Sequence, residues 1–168
     1  MGLTMNGNDR LFFGKYRGRV SDNRDDQNRG RLRLKVRDVY GDNDSGWALP
    51  AVPFAGNGVG LFLIPPTDAW VWVEFEHGSS EYPIWTGCFW DERDQVPGSP
   101  ASPDLKVLKT DSATITLEDS AGKSSIKIET GNMKIVMDSQ GIELSNGGQK
   151  IKLSSGSVSI NDGALEVM

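Results

Sequence analysis

Apolar and polar residues alternate with a period of two through most of this chain, and no segment sustains the period of an amphipathic helix. From Arg29 to Val39 the alternation is strict. Arg29, Arg31, Arg33, Lys35 and Arg37 fall on one face of a predicted strand and Leu32, Leu34 and Val36 on the other. Lys15 to Ser21, Gly58 to Ile64, Trp70 to Glu76 and Tyr82 to Phe89 are further predicted strands, rich in β-branched and aromatic residues and bounded by turn formers. Five strands in about 90 residues with uneven loops predict a small barrel, and the OB-fold is the commonest of five strands. The fold class is all-β.

A second pattern follows. Ala113/Ile115/Leu117, Ile126/Ile128, Met133/Ile135/Met137, Ile142/Leu144, Ile151/Leu153, Val158/Ile160 and Leu165/Val167 form seven short predicted strands, separated by turns that carry Gly122, Gly131, Gly141, Gly147, Gly156 and Gly163. From Ile135 onward, corresponding apolar residues recur at spacings of 7, 9, 7 and 7, a strand and a turn per repeat. Two aliphatics per rung and no aromatic residue make too thin a core for a free-standing solenoid, so other chains must complete it. Three chains around one axis put those aliphatics inside a triangular prism. The expected shared core is Ile115, Leu117, Ile126, Ile128, Ile135, Met137, Ile142, Leu144, Ile151, Leu153, Val158 and Ile160. In such an intertwined β-helix, strands of other chains pair with each rung and remove its open edges. Leu165, Val167 and Met168 are expected to gather at the far end as a contact surface.

Composition sharpens the division. All fourteen Phe, Trp and Tyr lie at or before Trp90 and every arginine at or before Arg93, while Pro97 to Pro103 holds three prolines that disfavour helix and central strand. The predicted organisation is an arm at 1–13, a collar barrel at 14–96, a proline-rich linker at 97–103 and a trimeric β-helix at 104–168. A net charge of −5 and a pI near 4.9 argue against attachment to nucleic acid through net positive charge. Cys88 alone forms no intrachain disulfide, and His77 alone leaves no zinc cluster. The N-terminus lacks a basic segment followed by an apolar one, so a cytoplasmic start is expected. The apolar run Val59 to Ile64 is too short for a bilayer span, and Asn6 stands against myristoylation of Gly2.

The candidate chemistry is thin. Arg29 to Arg37 with Trp70 and Trp72 could serve single-stranded nucleic acid as a basic groove with stacking rings. The acidic loops Asp22 to Asp26 and Asp42 to Asp44 flank that strand, and two tryptophans two apart fit barrel core or a subunit contact better. Asp25-Asp26 and Asp91-Glu92 are expected to be solvent-facing, without the partner that keeps a catalytic acid protonated. His77 is expected in a solvated hairpin turn, and Cys88 as a small core residue. The expectation is no enzyme, no cofactor and no metal, the tip included, since no histidine follows His77.

Gly14 to Val20, Gly30 to Val36, Trp47-Ala48-Leu49-Pro50, Pro65 to Gly78 and Tyr82 to Gly87 stand in that order and are followed by the rungs. Together they resemble the central spike of contractile phage tails and related injection machines, the baseplate assembly family and the spike half of type VI secretion VgrG proteins. The resemblance implies an OB-fold collar on an intertwined trimeric needle, a homotrimer at the tip of the tail tube in a virion baseplate or equivalent particle, assembled in the bacterial cytoplasm. Its implied partners are a tail hub protein at the collar and a conical tip protein of the PAAR type at the far end, with envelope contact during penetration and no nucleic acid. About a dozen residues precede the barrel, so the hub is expected as a separate protein. Pro97 to Pro103 stands where one member carries a lysozyme domain, so no hydrolase is expected. An OB-type nucleic-acid module with a trimerising tail, and a glycan-binding fibre, are the alternative readings.

Overall fold

A computed structural model describes residues 10–98 and 100–168. Residues 1–9 of the expected arm, Gly2 and Asn6 among them, and Ser99 of the expected linker lie outside the described residues. The chain divides into two compact units, one ending at Asp91 and the other spanning Glu92–Met168.

The first unit is a curled sheet of the expected OB type. Its elements are β1 (Tyr16–Asp22), β2 (Arg33–Lys35), the one-turn helix α1 (Arg37–Tyr40), β3 (Leu49–Pro50), the small hairpin β4 (Ala55–Gly56) and β5 (Val59–Gly60), β6 (Trp70–Phe75) and β7 (Pro83–Phe89). The strand order is β2-β1-β6-β7-β3, antiparallel except for the parallel pair β3 and β7. Leu32 and Ala48 exchange two backbone hydrogen bonds of 3.1 and 2.8 Å, which joins the β2 side to the β3 side and closes the barrel. Leu32, Leu34 and Val36 from the alternating segment meet Val20, Val71, Val73, Phe75 and Trp85 in the core. Each such side chain contributes roughly 1.5–3 kcal/mol on burial. Two polar groups of the core are paired: Trp85 donates its indole N–H to the Gly30 carbonyl at 3.1 Å, and buried Ser45 accepts the Leu34 amide while donating to the Gly46 carbonyl.

Five expectations change here. The long strand over 29–39 is reduced to Arg33–Lys35, because Gly30 takes a left-handed φ of 73° and the chain turns into α1 after Val36. That turn carries Tyr40 against Phe75, ring centroids 6.1 Å apart. The segment Gly58 to Ile64 is no barrel strand: Leu49–Pro50 takes the place beside β7, and Val59–Gly60 pairs only with β4. Trp70 and Trp72 lie half-buried on the outer face of β6, since Val71, Val73 and Phe75 on the alternate positions fill the interior. Cys88 is exposed. Phe12, from the expected arm, belongs to the core, its amide bonded to the Gly78 carbonyl at 2.9 Å.

The second unit is a single antiparallel meander of eight strands: β8 (Leu105–Lys109), β9 (Ala113–Glu118), β10 (Ser125–Thr130), β11 (Met133–Asp138), β12 (Gly141–Asn146), β13 (Gln149–Leu153), β14 (Val158–Ile160) and β15 (Leu165–Val167). Seven match the expected rungs; β8 is additional. Every pair in the meander is formed by strands adjacent in sequence. Hydrogen bonds expected from other chains are thus supplied within this one, because connections of two to six residues return the chain to the edge it has just left. Gly141 has φ +130°, and a Cβ there would stand 1.9 Å from the Leu153 carbonyl oxygen. Only glycine permits that approach.

Candidate trimerisation face

The register of the meander sorts its apolar residues into two columns that run across the sheet. Leu117 faces Ile126, Ile126 faces Met137, Met137 faces Ile142, Ile142 faces Leu153, and Leu153 faces Val158. Beside it, Ile115 faces Ile128, then Ile135, Leu144, Ile151 and Ile160 in turn. All twelve residues expected in a shared core therefore lie on one face. The spacings of 7 and 9 land in alternate columns because each strand runs opposite to the last.

Two further strands extend the columns. Leu108 of β8 faces Ile115, a position the sequence reading missed. Its signal, Leu105-Lys106-Val107-Leu108-Lys109, is broken by apolar residues on both faces, with Leu105 and Val107 turned toward Gly98. At the other edge Val167 faces Val158 and Leu165 faces Ile160.

The exposure of this face is opposite to what a soluble sheet needs. In β10 the order is half-buried Ser125, exposed Ile126, half-buried Lys127, exposed Ile128. The apolar positions are the open ones. Ile135 is 38% exposed and Leu153 48%, and around Ile128, Ile135, Leu144 and Ile151 the face is concave, with an accessible volume of about 570 Å³. The opposite face is polar and self-paired: Lys134 binds Glu129 at 3.1 Å, Lys150 binds Asp162, and Glu143 stands opposite Lys152. The Asp162 carboxylate beside Lys150 raises that ammonium's pKa. An open apolar face of this extent on a single chain calls for a cover.

These observations meet the comparisons with known proteins. Residues 106–166 match the phage baseplate V C-terminal trimerisation domain, and residues 16–90 match the type VI secretion system/phage-baseplate injector OB domain. The chain belongs to the phage baseplate V family. No individual curated protein matches it. The matched segments correspond to the meander and the barrel, so this baseplate V protein has a structural, trimerising role in a baseplate-type particle.

The chemical candidates in the barrel are occupied by neighbours. Arg17 lies over the Trp72 and Phe89 rings and Arg19 over Trp70, at 5.3–5.8 Å from the centroids; Arg17 pairs with Asp91 and Arg19 with Asp68, while Glu74 pairs with Lys15. Arg31 and Arg33 stand over Trp47. Trp70 and Trp72 are thus covered by the protein's own guanidinium groups. The side chain of Asp25, expected to face solvent, is 3% exposed. It accepts from the Arg31 Nε at 3.0 Å and from the amides of Gln27, Arg29 and Arg31 at 2.8–3.3 Å. The Arg31 side chain, helped by those amides, holds the Asp25 carboxyl far below the usual carboxylate range. The pair organises the loop ahead of β2. His77, at positive φ, is an exposed turn residue. Among the described residues no group of three or more His, Cys, Asp or Glu side chains is placed to hold a metal ion, and no helix is long and apolar enough to cross a membrane.

Proposed function

We propose that this chain is the central spike of a contractile tail or related injection machine. The observation that carries the reading is the apolar face, open on every strand of a family trimerisation domain. Three meanders turn these faces toward a common axis, and each chain supplies one wall of a prism. Ile115, Leu117, Ile126, Ile128, Ile135, Met137, Ile142, Leu144, Ile151, Leu153, Val158 and Ile160 form its core. Since each is already about half covered in one chain, assembly adds roughly 1 kcal/mol per side chain, a large sum over twelve positions and three chains. The barrel is the collar, 14–96, which seats on the hub at the tube end. The needle, 104–168, is driven into the target envelope when the sheath contracts, and the particle is assembled in the bacterial cytoplasm.

The edge strand β15 receives a tip protein of the PAAR type. Leu165, Val167 and Met168 are exposed there, and among the described residues β15 pairs only with β14, a combination that marks a contact surface. The nucleic-acid reading is weakened by the guanidinium groups that cover Trp70 and Trp72.

Light scattering of the purified chain tests the trimer, and labelled electron micrographs of the particle test the position at the tube end. Binding of the machine's own tip protein, measured before and after deletion of Ala164 to Met168, tests the far contact. Equal binding by both forms places that contact elsewhere, and a monomeric chain removes the spike.

A further inference from the structure

A second open apolar surface lies in the barrel unit, on the hairpin of β4 and β5 and the segment after it. Phe54, Val59, Leu61, Phe62 and Leu63 are all exposed, Phe62 by 67%. The hairpin is built to hold them there: Ala55 pairs with Gly60 and Gly56 with Val59, the Leu61 amide bonds the Phe54 carbonyl at 2.9 Å, and Gly58 turns the chain at φ 74°. Beneath it runs a groove of about 510 Å³, with Gly30, Val52, Phe54, Phe62 and Trp85 in its walls and Arg29 as its one charged lining residue. The hairpin leaves that groove partly unfilled.

Charge says what covers it. From Ser45 to Thr67 the chain runs 23 residues without a charged side chain, although 18 Lys and Arg and 23 Asp and Glu are spread over 168 residues. Such a run has a physical use on a threefold axis, where every group meets two copies of itself and any charge meets two like charges. Leu49, exposed on β3, lies in the same uncharged run, whereas three other exposed apolar residues of the barrel lack this property. Phe13 is followed closely by Lys15, Tyr82 is preceded by Glu81, and Trp90 is followed by Asp91 and Glu92.

Tethering brings the copies together. Between the end of β7 and the start of β8 lie residues 90–104, which reach about 50 Å at full extension. Trimerisation of the meander therefore holds three barrels at an effective concentration on the order of millimolar, where a small apolar contact suffices. We propose that the three hairpins of a trimer pack against one another about the threefold axis, Phe62 and Leu63 at the centre, as a second trimer contact in the barrel unit. The inference rests on the trimer itself.

The test uses the full chain with Cys88→Ser as background, so that an introduced thiol is unique. Phe62→Cys is treated with a short bis-maleimide, and Glu81→Cys on the same background serves as the comparison. Light scattering is run on each sample before the reagent is added. Expected are trimers for both variants, with covalent dimers forming at least tenfold faster at position 62 than at 81. A trimer in which position 62 does not cross-link, or remains freely labelled by a bulky maleimide, overturns the proposal and leaves the hairpin open to another baseplate protein. Equal rates at both positions also overturn it, because the barrels are then merely tethered. A chain that is no trimer fails at the earlier step, and the light scattering tells the two failures apart.

Discussion

Ile135→Asp is the most direct test of the apolar face. Ile135 sits mid-column between Ile128 and Leu144 and is 38% exposed in a single chain. The isolated meander therefore tolerates a carboxylate there with little loss, while the trimer does not. Removing the aliphatic forfeits roughly 1 kcal/mol of burial per chain, and an uncompensated charge in the prism adds roughly 3–5 kcal/mol. Over three chains the penalty is on the order of 12–18 kcal/mol, enough to dissociate the assembly at micromolar concentration. Val136→Asp is the matched control, because Val136 lies on the polar face opposite Lys127 and Glu143. Size-exclusion chromatography with light scattering should show monomer for the first variant and trimer for the second. In the assembled state the three new carboxyls are raised in pKa by burial and mutual repulsion. Their penalty is therefore relieved as the pH falls, and some trimer should return near pH 4. An Ile135→Asp variant that elutes as a trimer with wild-type stability refutes the inward assignment.

Four further outcomes are expected. Gly141→Ala drives a Cβ onto the Leu153 carbonyl and should cost roughly 2–4 kcal/mol, with hydrogen exchange accelerated first in β12 and β13. The ion pair of Asp25 and Arg31 stabilises the barrel above the unfolded carboxylate value near 4 and is lost as the pH falls through the depressed folded value; in acid titrations Asp25→Asn should be less stable than wild type at neutral pH, and the gap should close in acid. Truncation after Pro103 should leave a barrel that light scattering finds monomeric or weakly associated, as one small apolar hairpin contact does not hold three free copies together. Eight strands stacked at roughly 4.8 Å span about 34 Å between the first and the last, and a rod of twice that length in micrographs would exclude one wall per chain.

Much of this was legible in the sequence because alternation carries it. The seven rungs from Ala113 to Val167 show one apolar face each, and Leu32, Leu34 and Val36 are buried as their period demands. Alternation fails where both faces are apolar: in β6 it separates Trp70 and Trp72 from Val71 and Val73 without saying which pair points inward. It also fails for very short elements. Leu49–Pro50 forms a barrel strand of two residues, one of them proline, whereas the longer apolar run nearby, Gly58 to Ile64, stays outside the barrel. Asp25 was hidden for another reason, since its burial depends on an arginine six residues on that folds back over it. The strand pairing within the meander follows from turn length, a quantity that the rung spacing contained but the residue types alone did not.

That pairing has a mechanical consequence. In a meander the backbone hydrogen bonds point from strand to strand, along the direction in which the strands are stacked. A pull along that direction loads the strand pairs in series and separates them from an edge one at a time, as a zipper opens. A push presses neighbouring strands together and is resisted by repulsion between closed atomic shells, which rises far more steeply than a hydrogen bond yields. A wall of this kind is strong under thrust and weak under traction.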